Sequence, residues 1–599
     1  MARLRTDLRR GEQVLDRGER LHVVRRWLLP FACLAAAGYA HAQSDDATGA
    51  QAPASGWSSV APPSPEDGDI RGSDPNRDYS RLSPFTFGAA SYQPGFDGCA
   101  LAGSALRDPQ GVFAELVRPE GLSGRDSRFF RLSLGASETY TDNLRLAPEG
   151  EEISDYITQI TPRVDACANS GRIRGELAYQ LQGVVYAHNS RFNDVYSNIA
   201  GNTTIELLAG RLFLGADTSY GQSVVDPSLS YSRSSLLRAD NSTSAWITNI
   251  SPYYLQPLGP LGDATLRYRY GRTVYGDSDI PESRLQGAYF DLYSPPTSQE
   301  WSWHVNAFTQ RVRRIDGDAG GFFDGVDFNN GFFDENGQPI DPADFYDERP
   351  DSRTTYFDKA TIDIGYRVSP TLQLLVLGGL EDEYESDGTN DRLSSPLWNV
   401  GFRWDEPSRF LEARIGHRFF GTSYFLTAGL RGRILDVSLS YTEEPSTQDL
   451  NQLNRNATVQ NTAFPDPTTS LFERSVFVEK EVSVSAAMRT GLARTTVTGY
   501  HQRREYIANV PEEQLYGAAA RIDYQLRPRT ALVPSAGWEH RESRLGMDTD
   551  VTDLGLSVVR SLSTSLQASL GYSHAWRDAD SRETEYDENR VVLQVMKYY

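Results

Sequence analysis

From residue 128 to its end the chain alternates apolar and polar side chains with a period of two, in about 22 segments of roughly 8 to 16 residues. A tilted β-strand of about that length crosses a bilayer. One run places Ile173, Leu177, Tyr179, Leu181 and Val185 on one parity, and Arg172, Arg174, Glu176, Gln180 and Gln182 on the other. The split recurs with Ile362, Ile364, Tyr366 and Val368 against Lys359, Asp363 and Arg367. Periodicity alone would also suit a soluble β-sandwich, whose apolar parity faces a core.

The connections decide between the two. Short links such as Ala209-Gly210, Ser369-Pro370-Thr371, Gly432-Arg433 and Arg527-Pro528-Arg529 alternate with longer ones, the longest running from about Arg314 to Arg353 and from Glu443 to Arg474. Bacterial barrels put short turns and both termini in the periplasm and long loops outside. The reading is all-β: a transmembrane antiparallel up-and-down β-barrel of about 22 strands (roughly 20 to 24) over residues 128–599. Outward aromatics near strand ends, Tyr254, Tyr268, Tyr270, Trp404, Tyr524 and Trp538, read as interfacial girdles.

Ahead of the barrel, an apolar stretch from Trp27 to Ala40 follows Arg25 and Arg26 and ends in Ala40-His41-Ala42, as a secretory signal peptide over residues 1–42 would. Residues 43–127 are rich in Pro, Gly and Ser at first and read as a largely irregular periplasmic segment, a linker or partial plug. They are short for the folded plug of an energy-coupled receptor. Export leaves Cys99 and Cys167 in an oxidising compartment, either as a disulfide tethering this segment to the periplasmic rim or as two unpaired thiols.

Net charge is −21, so nucleic acid is not an expected partner. Of 59 basic residues only Lys359, Lys480 and Lys597 are lysines, a bias that suits planar pairing with carboxylates in a confined lumen and that genomic base composition would also produce. Lumen-lining candidates on the polar parity are Arg172, Arg174, Glu176, Arg267, Arg269, Lys359, Asp363, Arg367, Glu412, Arg414, Arg521, Asp523 and Arg590. They could hold a sugar polymer while letting it slide, or could satisfy one another and stiffen the wall.

The acidic loop from Ile315 to Asp351 offers oxygen ligands at Asp334, Asn336 and Asp341, without the spacing of a calcium-binding loop. Calcium there, a solvated surface loop and a constriction folded into the mouth are the three readings. No other cofactor is expected. The histidines His188, His304, His417, His501, His540 and His574 are scattered and no nucleophile motif accompanies them, so the chain is not read as an enzyme.

Several blocks resemble a known family: Tyr140-Thr141-Asp142-Asn143-Leu144 with Ser154-Asp155-Tyr156 and Pro162; Trp398 to Trp404; Gly416-His417-Arg418-Phe419-Phe420-Gly421; and Tyr586 with Glu588-Asn589-Arg590. On these the chain resembles the outer-membrane barrel proteins associated with exosortase/PEP-CTERM systems, found beside exopolysaccharide and protein-sorting loci. The resemblance implies the outer membrane of a Gram-negative bacterium and a link to surface polysaccharide export. The final parity of Val591, Leu593, Val595, Lys597 and Tyr599 resembles the C-terminal signal read by barrel-assembly machinery. The expected function is a channel or export conduit in contact with lipid, lipopolysaccharide and polysaccharide-export components. The alternative is a non-conducting anchor for a surface polysaccharide or sorting assembly.

Overall fold

In the computed structural model the described residues run from 127 to 599, apart from 171, 228, 230–235, 238–240, 277–279, 296–299, 316–352, 386–392, 455–470, 472–474, 508–510 and 544–547. They form one 22-stranded sheet in which each strand pairs antiparallel with its sequence neighbours. The first half comprises β1 (Ser127–Thr141), β2 (Asp155–Ser170), β3 (Ile173–Tyr186), β4 (Asp194–Leu208), β5 (Leu212–Val224), β6 (Ser242–Pro257), β7 (Asp263–Tyr275), β8 (Glu282–Tyr293), β9 (Trp301–Ile315), β10 (Thr354–Arg367) and β11 (Leu372–Glu385). The second comprises β12 (Leu393–Glu406), β13 (Arg409–Arg418), β14 (Gly421–Arg431), β15 (Leu435–Ser446), β16 (Phe477–Arg489), β17 (Ala493–Tyr506), β18 (Glu513–Arg527), β19 (Thr530–Glu542), β20 (Asp548–Ser563), β21 (Leu566–Ala579) and β22 (Tyr586–Tyr598).

The sheet closes because β1 also pairs antiparallel with β22, from Ser133↔Tyr598 to Thr141↔Arg590. Closure leaves no open edge, which a strand in hydrocarbon could not tolerate. The short turns, the start of β1 and the end of β22 share one rim, and most long connections share the other. Gly262 shows how tightly the short-turn rim is built. Its φ is +93°, and a Cβ there would lie 1.7 Å from the Tyr293 carbonyl oxygen, so no other residue fits the β6–β7 turn against the end of β8.

Alternation sorts the wall into two faces. Along β1 Phe130, Leu132 and Leu134 are exposed while Ser133, Ser137, Thr139 and Thr141 are buried. The same band continues with Ile160, Leu177, Ile362, Ile364, Val376, Val400, Ile415, Leu554, Leu556 and Leu593, each exposed on the outside. An apolar surface that circles the molecule far exceeds what a water-soluble monomer presents, and acyl chains are the solvent that suits it. The barrel is therefore transmembrane. No helix among the described residues is long and apolar enough to cross a membrane; the crossing is by strands. Tyr268, Tyr524 and Trp538 stand exposed on the same outer face.

At the end of β22, Val591, Leu593 and Val595 face outward, and Tyr599 is 72% exposed with its N–H bonded to the Leu132 carbonyl at 2.9 Å. Lys597 breaks the apolar parity, and its ammonium turns to the Ser565 hydroxyl at 2.8 Å. A long basic side chain at the edge of the apolar band can reach water in this way.

Candidate functional site: a lidded lumen

The inner face is polar and largely self-paired. Glu412 accepts from Arg403 Nε at 2.8 Å and from Arg414 Nε at 2.7 Å, and Arg414 reaches on to Asp363 at 2.9 Å and Asn399 at 3.3 Å. Arg418 clamps Glu381 at 2.9 Å and also donates to Glu444 at 3.2 Å and to the Glu443 carbonyl at 3.0 Å. On the far side of β15, Arg504 joins Glu513 at 2.9 Å and Glu479 at 3.4 Å, and Arg541 joins the same Glu513 at 3.0 Å. Charges this buried persist only when paired, so these chains behave as cross-braces between strands.

The other lumen candidates take varied positions. Glu176 accepts from Asn202 at 3.1 Å, Arg521 pairs with Asp523 at 3.0 Å, and Arg590 donates to Ser573 Oγ at 3.3 Å. Lys359 is buried on the inner face of β10, with half-buried Arg367 on the same parity. Arg174 lies near the short-turn rim and is exposed. Arg172 sits in the turn just before β3, at the short-turn rim, with its side chain exposed and its carbonyl accepting the Glu206 N–H at 2.8 Å. Cys167 faces inward from β2 and is disulfide-bonded; Cys99 lies outside the described residues. So do Asp334, Asn336 and Asp341 and nearly all of the acidic loop. Among the described residues no cluster of His, Cys, Asp and Glu could hold a metal ion.

Two of the long connections turn inward. After β15, Thr447 caps a short helix, its hydroxyl accepting the Leu450 N–H at 3.1 Å; this helix, α1, spans Gln448–Asn454. Leu450 and Leu453, three residues apart, share one face. They pack into a cluster with Leu285, Tyr289, Phe308, Val312 and Phe357 on the inner faces of β8, β9 and β10. Arg269, fully buried on β7, holds the helix C-terminus by donating to the Leu453 carbonyl at 2.6 Å and to Asn454 Oδ1 at 2.7 Å. A cation at that end meets the helix's unpaired carbonyls. Asn249 Nδ2 adds a bond to the same carbonyl at 3.0 Å.

The second inward connection joins β5 to β6. Leu236 packs against Leu144, Ile157, Val184 and Tyr186, and its carbonyl accepts the Tyr186 hydroxyl at 2.7 Å. The Leu229 carbonyl accepts from Arg577 on β21 at 2.9 Å. The two connections meet where the Leu471 N–H donates to the Val225 carbonyl at 2.8 Å, and Arg314 ties both Leu471 O at 2.8 Å and Asp449 at 3.4 Å. Their described residues together form a lid over part of the mouth at the long-loop rim. One side chain in it is poorly served: Gln452 is 1% exposed, yet neither its Oε1 nor its Nε2 has a hydrogen-bond partner.

The blocks that carry the family resemblance fall in two places. Residues 140–144, Asp155 and 586–590 meet at the β22–β1–β2 seam. There Asn143 Nδ2 donates to the carbonyls of Ala147 at 2.7 Å and Asp587 at 3.0 Å, Asn589 donates to Asp142 at 2.8 Å, and Thr141 donates to Glu588 at 2.9 Å. Asp155 accepts from the backbone and side chain of Asn189 at 3.0 and 2.8 Å. The other blocks pair directly, Trp398↔His417 and Asn399↔Gly416, beside the Arg414 network. Both places are architectural: a clasp at the seam and a brace in the wall.

No protein-family model and no curated protein sequence matches the chain. Solved structures do resemble it. The siderophore receptor PirA from Acinetobacter baumannii is 9% identical, with 80% of this chain and 81% of that one covered at a TM-score of 0.44. The FrpB iron transporter from Neisseria meningitidis, F3-3 variant, is 11% identical over 80% and 82% at a TM-score of 0.47. A mutant ferric enterobactin receptor PfeA from Pseudomonas aeruginosa is 9% identical over 79% and 81% at 0.42.

Sequence reading missed the lid and the inward aromatics beneath it. The Glu443 to Arg474 stretch was expected as a long outer loop, but Leu450 and Leu453 beside a Thr447 cap were a visible sign of a short amphipathic helix with something to cover.

Proposed function

We propose that the protein is a gated conduit in the outer membrane of a Gram-negative bacterium. Closed antiparallel barrels with an even strand number and an outer apolar band are the architecture of that membrane. A barrel of this strand number encloses a lumen wider than its own wall side chains fill, so something must control passage. One observation carries the reading: α1 is seated by Leu450, Leu453 and Arg269 on the inner wall instead of standing away from the mouth. Passage of a solute through such a lumen needs no reacting group, and the conduit is proposed as non-enzymatic.

The link to exopolysaccharide export or an exosortase/PEP-CTERM system rests on the sequence blocks at the seam and on β12–β14. Export components and barrel-assembly machinery are its proposed partners. The test is planar-bilayer conductance of the full chain beside a variant in which residues 447–474 are replaced by a short Gly-Ser link. The conduit account expects a several-fold rise in mean current. A variant that inserts as a folded barrel and carries no more current than the parent favours the anchoring role.

A further inference from the structure

The registers of six adjacent strands line up one continuous row on the inner wall: Phe213↔Tyr253, Tyr253↔Arg267, Arg267↔Tyr289, Tyr289↔Phe308 and Phe308↔Lys359. Directly paired residues of an antiparallel sheet point to the same face, here the lumen. The row also climbs. Phe213 is the second residue of β5 from the short-turn rim, whereas Phe308 lies midway along β9. The rings are in contact: Phe213 and Tyr253 stack at 5.0 Å and 10°, the Arg267 guanidinium lies 5.5 Å from the Tyr253 ring centre, and Tyr289 and Phe308 are 5.9 Å apart.

We propose that this row is a carbohydrate track, on which an oligosaccharide strand stacks its sugar rings as it passes, and that α1 covers the upper stations when the conduit is shut. The proposal rests on the conduit reading above and names its cargo class. A pyranose presents a face of C–H bonds, slightly positive, to the negative face of an aromatic ring, while its equatorial hydroxyls seek donors and acceptors at the ring's margin. The track supplies both. The Arg267 guanidinium, lying over the Tyr253 ring, carries N–H donors into the row, and the Tyr289 hydroxyl, held by Arg269, donates to Gln310 at 2.8 Å. A peptide would instead need discrete pockets for alternate side chains or a free strand edge, and the closed sheet offers no edge. Leu450 and Leu453 lie against Tyr289 and Phe308, where apolar sugar faces would otherwise rest, and the lower pair Phe213 and Tyr253 remains half-buried.

The test uses the 447–474 replacement in planar bilayers with three probes: maltoheptaose, a hexameric oligoguluronate and a ten-residue polar peptide. Saturable current block by a sugar is expected, with a residence time at least about tenfold shorter in Phe213→Ala/Tyr253→Ala and in Tyr253→Leu, which keeps bulk but not the ring face. The outward Tyr268→Ala should leave block unchanged. Block that is equal in the track variants, or produced by the peptide and not by either sugar, overturns the track. If the lid-replaced barrel carries no current, the conduit reading fails. The track is then judged by titration calorimetry with the same sugars: Tyr253-dependent binding sustains it and its absence overturns it.

Discussion

The clasp at the β22–β1–β2 seam and the lid over the mouth are both assembled from connections at the long-loop rim, but they are finished differently. At the clasp the bonding is dense: Asn143 alone exchanges bonds with Ala147 N at 2.9 Å, Ala147 O at 2.7 Å and Asp587 O at 3.0 Å. In the lid, two leucines and one arginine do most of the holding, and the amide of Gln452 is buried with both polar atoms unpaired. An unpaired buried amide costs about 1–3 kcal/mol, so the lid's closed seat is less deep than its contacts suggest. One end of this barrel thus holds a densely bonded seam beside a cover with a shallower seat.

The largest effect is expected in the wall that the clasp resembles. Arg414→Met should cost about 3–5 kcal/mol of stability in detergent, because Glu412 and Asp363 lose a buried partner. Denaturant titration of the purified barrel reads this; a loss below about 1 kcal/mol would mean the brace is not load-sharing. Asn143→Ala comes next, at about 3 kcal/mol, since it strands a backbone N–H and two carbonyls at the seam. An unchanged midpoint would mean that the seam is no better held than the lid.

Substitutions in the lid should act on opening more than on unfolding. Arg269→Met takes from the Leu453 carbonyl one of its two donors and from Asn454 Oδ1 its guanidinium partner, and should raise the open fraction about tenfold, equivalent to about 1.4 kcal/mol, with a smaller change in denaturation midpoint. Gln452→Leu runs the other way. Removing the unpaired amide should deepen the closed state by about 1 kcal/mol and lower the open fraction several-fold. A rise in current in that variant would show that the amide is satisfied in the closed seat.

Much of this molecule is readable from its sequence because a strand's alternation reports which face each residue takes. The number of strands, the polarity of the two rims and the inward parity of Arg267, Glu412 and Arg414 all follow from it. Height along the barrel does not. Parity places Phe213, Tyr253 and Phe308 on the inner face, but only the pairing registers set them in one climbing row. Arg172 shows the same limit at a strand end, where continuing the alternation by one residue placed a turn residue in the wall. The lid was hidden for another reason: a seven-residue helix is too short to announce itself by period, and its stability comes from the wall it covers.

A locked lid tests the account most directly. A Cβ at Gly271 would lie 3.0 Å from Leu453 Cδ2 and 2.6 Å from Asn249 Oδ1, so the Asn249 amide end must turn aside for Gly271→Cys with Leu453→Cys to set two thiols across the α1–β7 contact. Single-channel current is recorded before and after oxidation with copper phenanthroline. The account predicts that opening events seen with free thiols vanish once the bridge forms. Full current through the bridged protein would contradict it, because solute would then be passing with the lid fixed in place.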